Sequence, residues 1–298
     1  SPVTGVQTCA LPLCTYAAFR SARHVPCGHS FLRILCMRFG CCGPIDQIPT
    51  LQRVGYDYAE LKVVDLLPDE DDTTYAPVRR QIEDGGLPPE ALNVFVPPHH
   101  PVVGPDRDEA ALRAYVTTAM GRMQALGTEL VVFGSGGARS TPPGFDPGQV
   151  PGQIMDFLRM TGDIAAAHRM DLVIEPLWRE KCDTINTVVE GYEAACDSGH
   201  PHVWTLADWF HVFYNEEPLA TMALAAPRLR HIHVPVPPLA GKPEQPTDPG
   251  FDEFLEAIVA TGYDRRISVE DNGKRFSDFD AEAGPALAYL KDRLDGGS

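Results

Sequence analysis

Short apolar runs alternate with longer stretches of helical spacing along most of the chain. Runs at 38–42, 58–61, 92–96, 130–133 and 172–174 read as strands, followed by strands ending at Asp208 and His233 and one at 266–269. Helices are predicted between them: from 46, up to Gly85 and Gly86, then over 108–126, 152–169, 184–198, 217–225, 251–261 and 278–294. Gly127 is the stop signal of the long amphipathic helix, and Pro97 and Pro98 close the third strand. Strands that alternate with helices predict a parallel sheet, and eight such units predict a closed α/β barrel.

Four of the later strands end on side chains that can hold a metal: Glu175, Asp208, His233 and Glu270. In a parallel barrel the C-terminal ends of the strands converge on one mouth, where such folds keep their chemistry. Side chains alternate across a strand, so register decides which residue points inward. Three carboxylates and one imidazole meeting there would form an oxygen-rich site for a divalent cation. Mn²⁺ is the expected ion, with Mg²⁺, Co²⁺ or Zn²⁺ as alternatives.

Other residues near the same mouth admit two readings. Glu60 ends the second strand and either lines the pocket or makes a structural ion pair. His99 and His100 follow the third strand, as substrate contacts or as exposed loop residues. His231 lies one layer below His233 and reads as a buried core histidine. Trp178 and Trp209 wall the pocket or simply pack. The glycine-rich stretch 134–137 with Arg139 is either an anion-binding loop or a tight turn. It lacks the Lys-Ser/Thr ending of a P-loop.

Composition narrows the class of partner. The chain has 298 residues with 25 Lys+Arg against 41 Asp+Glu, a formal charge of −16. Such an acidic balance disfavours a nucleic-acid partner, whose phosphates need clustered Lys and Arg. There is no apolar run long enough for a membrane span. Residues 1–36 read as a non-native N-terminal extension without fixed structure. Within it, 3–12 (VTGVQTCALP) resemble a translated sequencing adapter, while Met37 opens directly onto a strand-like run. Residues 37–298 then form a single barrel domain. That part keeps four of the eight cysteines, Cys41, Cys42, Cys182 and Cys196, without metal-type spacing or a disulfide framework. A reduced, cytoplasmic protein is expected, and a homodimer is left open.

Several segments together resemble the xylose isomerase-like TIM barrels, in particular the sugar phosphate isomerase/epimerase group. They are GYDYAEL at 55–61, VVFGSGGAR at 131–139, IEPL at 174–177, DWFH at 208–211, HIH at 231–233, GYD at 262–264 and SVE at 268–270. The resemblance implies a (β/α)8 TIM barrel, a divalent metal on Glu175, Asp208, His233 and Glu270, and a sugar or polyol substrate. It places His211, three residues after the metal aspartate, against the substrate. Glu175 and Glu270 would exchange a proton at a carbon next to a metal-bound carbonyl, giving epimerisation or aldose–ketose isomerisation. Two positions depart from the ketohexose 3-epimerases of the group. Lys181 stands where they carry a second glutamate, and Leu239 where they carry an arginine. The metal site is thus inherited more directly than the substrate site. Glu60, His99, Arg179 and Lys181 complete the candidate substrate contacts, with Lys181 suited to an acidic group or to solvent. Competing readings are a lyase of the inosose or dehydroshikimate dehydratase type, an apurinic-site endonuclease, and a non-catalytic sugar-binding barrel.

Overall fold

The computed structural model describes residues 37–236, 250–270 and 276–294. The segment 1–36 lies outside these residues, as does most of the Pro-rich stretch 235–249, including Leu239.

Eight parallel strands close in chain order, each bonded to the next and β8 to β1. They are β1 (Arg38–Cys42), β2 (Tyr58–Lys62), β3 (Ala91–Asn93), β4 (Leu130–Phe133), β5 (Asp171–Ile174), β6 (Val203–Asp208), β7 (Leu229–Pro235) and β8 (Arg266–Glu270). The helices are α1 (Ile48–Val54), α2 (Asp72–Asp84), α3 (Glu109–Ala125), α4 (Gly136–Arg139), α5 (Val150–His168), α6 (Val188–Asp197), α7 (Trp209–Tyr214), α8 (Thr221–Ala225), α9 (Phe251–Ala260) and α10 (Phe279–Leu294). This is the (β/α)8 barrel expected from the alternation of elements. Among the described residues no helix is long and apolar enough to cross a membrane.

Strand alternation divides the apolar residues into two layers. Tyr58, Ala91, Leu130, Val132, Val173 and Leu206 pack inside the barrel. Their neighbours, such as Leu92, Val131, Leu172, Ile174 and Ile267, join the larger layer under the helices. Gly40 belongs to the inner surface because the Tyr58 ring occupies the space where a Cβ would sit. The same parity carries Cys42, Glu60, Asn93, Gly134, Glu175, Asp208, His233 and Glu270 to the inner face, one from the C-terminal end of each strand. Between β6 and β7 the register shifts by one residue, from Thr205 opposite Leu229 to Leu206 opposite His231. The extra residue, Arg230, brings Asp208 opposite His233.

Local departures from the expected elements have local causes. The third strand stops at Asn93 instead of reaching Val96, because Val94 turns into the left-handed region at φ 47°. The Val96 N–H then donates to Ser135 Oγ at 2.9 Å. The helix expected from 184 begins at Val188, after Ile185 at φ 49°. Its start is fixed by a capping box between Thr187 and Glu190, and Glu217 accepts the Val188 N–H at 3.0 Å. Glu217 therefore stands outside the helix expected at 217–225, which begins at Thr221. The short helices α4 and α7 fill stretches not predicted to be helical.

Candidate metal centre

The strand ends bring Glu175, Asp208, His233 and Glu270 together. One donor atom from each lies within 4.8 Å of the donors of the other three. His233 is fully buried and Asp208 nearly so, while Glu270 keeps partial access to solvent.

Each side chain is held from behind. His233 Nε2 meets Glu60 Oε1 at 2.8 Å, and the other Glu60 oxygen meets His231 Nε2 at 2.9 Å. Glu60 thus accepts the Nε2–H of His233 and turns Nδ1 toward the cluster. An outer carboxylate that fixes a ligating imidazole in this way is a common device of metal sites. His233 Nδ1 faces Glu175 Oε1 at 3.5 Å and Glu270 Oε2 at 3.7 Å. Asp208 Oδ1 accepts the Phe210 N–H at 2.8 Å and so caps α7. Glu175 occupies the hollow left by Gly134, where a Cβ would collide with its carboxylate.

Arg139 is completely buried and spends its guanidinium on backbone carbonyls. It donates to Gly134 O at 2.6 Å, to Glu175 O at 2.7 Å and to Thr184 O. The arginine thus binds the ends of β4 and β5 together, and its donors are engaged within the fold. His211, on α7, accepts the Trp178 N–H on Nδ1 at 3.0 Å. Its proton then sits on Nε2, which lies 3.6 Å from Asp208 Oδ2 and 3.8 Å from Glu175 Oε1. Burial, only partly opposed by Asp208 and Glu175, lowers its pKa, favouring the neutral imidazole.

The donor set fits a divalent cation on two grounds. First, Asp208 Oδ2 and His233 Nδ1 are buried atoms without a hydrogen-bond partner among the described residues, and both belong to the cluster. Buried polar atoms are ordinarily satisfied. Second, the cluster is short of positive charge. Burial, together with Asp208 and Glu175, drives the Glu270 carboxyl well above the usual range, although His233 opposes this. Burial also disfavours the His233 imidazolium, yet Glu60, Glu175 and Glu270 outweigh it and raise its pKa well above the ordinary value. A site that gathers protons in this way supplies the electrostatics a cation needs.

The description of the xylose isomerase-like TIM barrel matches residues 48–293. The chain belongs to that family. No curated protein matches it. Among solved structures, this family member resembles a D-psicose 3-epimerase with D-tagatose from Clostridium cellulolyticum H10, at 20% identity and a TM-score of 0.71, over 87% of this chain and 99% of that one. It also resembles a 3-keto-D-glucoside 4-epimerase from E. coli, at 20% identity and a TM-score of 0.67, over 86% and 99% of the two chains. An AP endonuclease, family 2, from Brucella melitensis matches at 15% identity and a TM-score of 0.65, over 85% and 98%. At these identities the likeness is one of fold, and fold alone does not select an activity.

Within this family member the remaining candidates fall in different places. Glu60 is buried beneath the cluster, bound to both histidines, so the pocket-lining and ion-pair alternatives resolve toward the latter. His231 is buried as expected, and its partner is Glu60. The Lys181 ammonium lies over the Phe210 ring at 4.7 Å and acts electrostatically on His211. Arg179 is not brought into the cluster; its guanidinium bonds Asn186 Oδ1 at 3.1 Å and Glu190 Oε1 at 3.3 Å. His99 is not brought in either and pairs with Asp69. Trp178 packs on Tyr214 and Phe210, and Trp209 on Phe213, Phe251 and Phe254.

Two residues at the mouth were missed by sequence reasoning. Asn93 Nδ2 donates to Cys42 Sγ at 3.3 Å, and Cys42 shares a second donor group with Glu60 and His233. For Cys42 the signal was available, since it ends a short strand at the parity that faces the barrel interior; for Asn93 it was not, because the run at 92–96 hides the stop after Asn93.

Proposed function

We propose that the protein is a divalent-metal-dependent epimerase or isomerase of a sugar or polyol-derived substrate. The observation that carries this reading is the convergence of Glu175, Asp208, His233 and Glu270 to within 4.8 Å. The similar folds described as D-psicose 3-epimerase and 3-keto-D-glucoside 4-epimerase support it. Those four residues would hold the ion, and Mn²⁺ suits three carboxylates with one imidazole. When bound, the ion supplies Lewis acidity to a substrate carbonyl and the hydroxyl beside it.

The chain's own residues do the rest. Glu175 and Glu270 come from β5 and β8 and reach the substrate carbon from separate sides. One carboxylate removes a proton and the other returns one, which inverts the centre; return to the neighbouring carbon gives an isomer. His211 offers Nε2–H to a substrate oxygen. Glu60 and His231 hold the His233 ring, and Arg139 holds the Glu175 backbone, so the donors are placed before substrate arrives. The test is incubation of the Mn²⁺-loaded protein with a panel of keto sugars in D₂O, followed by NMR. Deuterium gained at the carbon beside the carbonyl supports the reading; a panel that spans the ketoses and shows no exchange refutes it.

A second reading, a dehydratase on the same scaffold, is favoured by one observation. The His211 Nε2–H beside the acidic cluster is placed to donate a hydrogen bond to a departing hydroxyl. A product lighter than substrate by one water separates the two. The endonuclease reading is disfavoured by the formal charge of −16, which would repel a phosphate backbone.

A further inference from the structure

The loops after β2 and β3 carry a second set of ligating atoms, distinct from the ring of strand-end residues. Asp69 Oδ2 lies 3.0 Å from His99 Nε2, and Asp69 Oδ1 lies 2.7 Å from His100 Nε2. The three donors lie within 4.8 Å of one another. Both imidazoles aim the same ring nitrogen at one carboxylate. A single histidine would be enough to tie the two loops together by a hydrogen bond.

The arrangement is held firmly from each side. Buried Arg122 donates to Leu66 O at 2.9 Å, to Glu70 O at 2.7 Å and to Leu67 O, which fixes the loop bearing Asp69. The His100 ring packs on Tyr115 at 4.7 Å between centroids, and the Tyr115 hydroxyl donates to Phe95 O at 2.8 Å. The His100 N–H closes a turn onto Pro97 O at 3.0 Å. The His99 side chain is 65% exposed, so an ion can reach the donors without opening the fold.

We propose that Asp69, His99 and His100 form a zinc site on the C-terminal rim of the barrel. Nε2 of each imidazole and one Asp69 oxygen are the ligands, and water completes the tetrahedron. Two imidazoles with one carboxylate form a typical zinc set with one open position. The strand-end cluster, with three carboxylates and one imidazole, favours a harder ion. The two sites therefore differ in metal preference as well as in place. The zinc ion links the β2–α2 loop to the β3–α3 loop and stiffens that side of the rim. This holds whatever substrate the mouth takes.

The test starts from the full chain with Mn²⁺ in the strand-end site, dialysed against micromolar zinc and then against metal-free buffer. Elemental analysis should find one more zinc equivalent in the wild type than in either Asp69→Asn or His99→Ala. Loss of a ligand should weaken that equivalent by about 100-fold or more, since disturbing even the outer shell of a zinc site costs 10–100-fold. With Mn²⁺ kept in the strand-end site, added zinc should raise the melting temperature of the wild type by several degrees and leave those of the two variants unshifted. Equal zinc contents in the three proteins would overturn the proposal. So would retention of zinc only at millimolar free ion, which marks an adventitious ion only. An anomalous map of a zinc-soaked crystal with no peak between these side chains would also overturn it.

Discussion

At the N-terminal end of the barrel, Arg38 and Arg266 share the Glu90 carboxylate, with Arg266 Nε 2.8 Å from Oε2. Arg266 also reaches Glu129 at 2.8 Å, and Arg230 reaches Asp171 at 2.7 Å. Three guanidinium groups thus meet three carboxylates. At the C-terminal end, the basic groups that pair with Glu60, Glu175, Asp208 and Glu270 among the described residues are imidazoles. Both ends bury some charged groups, Glu90 and Arg266 below and Glu60, Glu175 and Asp208 above, at a cost that only partners or a cation offset. The lower end satisfies itself, so its charges act on stability. The upper end is left incomplete by its own chain, as befits a place meant to receive something. The difference lies in which charges are left over, since both ends are built from strand termini.

The sharpest way to break this contrast is at the upper end. Glu175→Gln or Glu270→Gln in the Mn²⁺-loaded protein should cut turnover by about 10²–10⁴-fold, roughly 3–5 kcal/mol in barrier, while the metal stays bound. Near-normal rates in both variants would reduce the two carboxylates to ligands. At the lower end, Glu90→Ala leaves Arg38 and Arg266 without their shared partner. It should cost about 3 kcal/mol of stability in urea titration, with activity per folded molecule unchanged. An unshifted unfolding midpoint would show that the network carries no weight. A smaller effect is expected for Gly134→Ala, which pushes the Glu175 carboxylate aside. Metal affinity should fall about tenfold, read by competition with a chelator, because the clash falls on the movable end of a side chain. The smallest effect has the opposite sign. Asp208→Asn in metal-free protein should raise stability by about 0.5–1 kcal/mol, since it removes one of the crowded charges and keeps the α7 cap. A loss comparable to that of Glu90→Ala would erase the distinction between the two ends.

The upper end was more legible in the sequence than the lower. Glu175, Asp208, His233 and Glu270 each interrupt an apolar run at its end, a local signal that needs no partner to be seen. The link from Glu60 to His231 and His233 joins residues 171 and 173 positions apart. It depends on β2 facing β7 across the barrel, which no local pattern records. Arg38, Glu90 and Arg266 are invisible for the same reason. Val94 shows a different failure. The run at 92–96 has strand composition throughout, but the Ser135 hydroxyl takes the Val96 N–H and the chain turns after Asn93. The start of α7 was signalled by Asp208 as a capping residue, yet the same residue was read only for its place at the end of β6.

That double duty of Asp208 has a dynamic consequence. One carboxylate oxygen caps a helix of six residues, and the other faces the cluster. A helix this short has little stability of its own. Whatever draws on the second oxygen therefore pulls at the start of the segment that carries His211. The Phe210 amide, protected only while the cap holds, becomes a clock for that coupling. Its hydrogen-exchange rate should change when the mouth is loaded, and the carboxylate that grips an ion would at the same time set how long the neighbouring histidine stays in place.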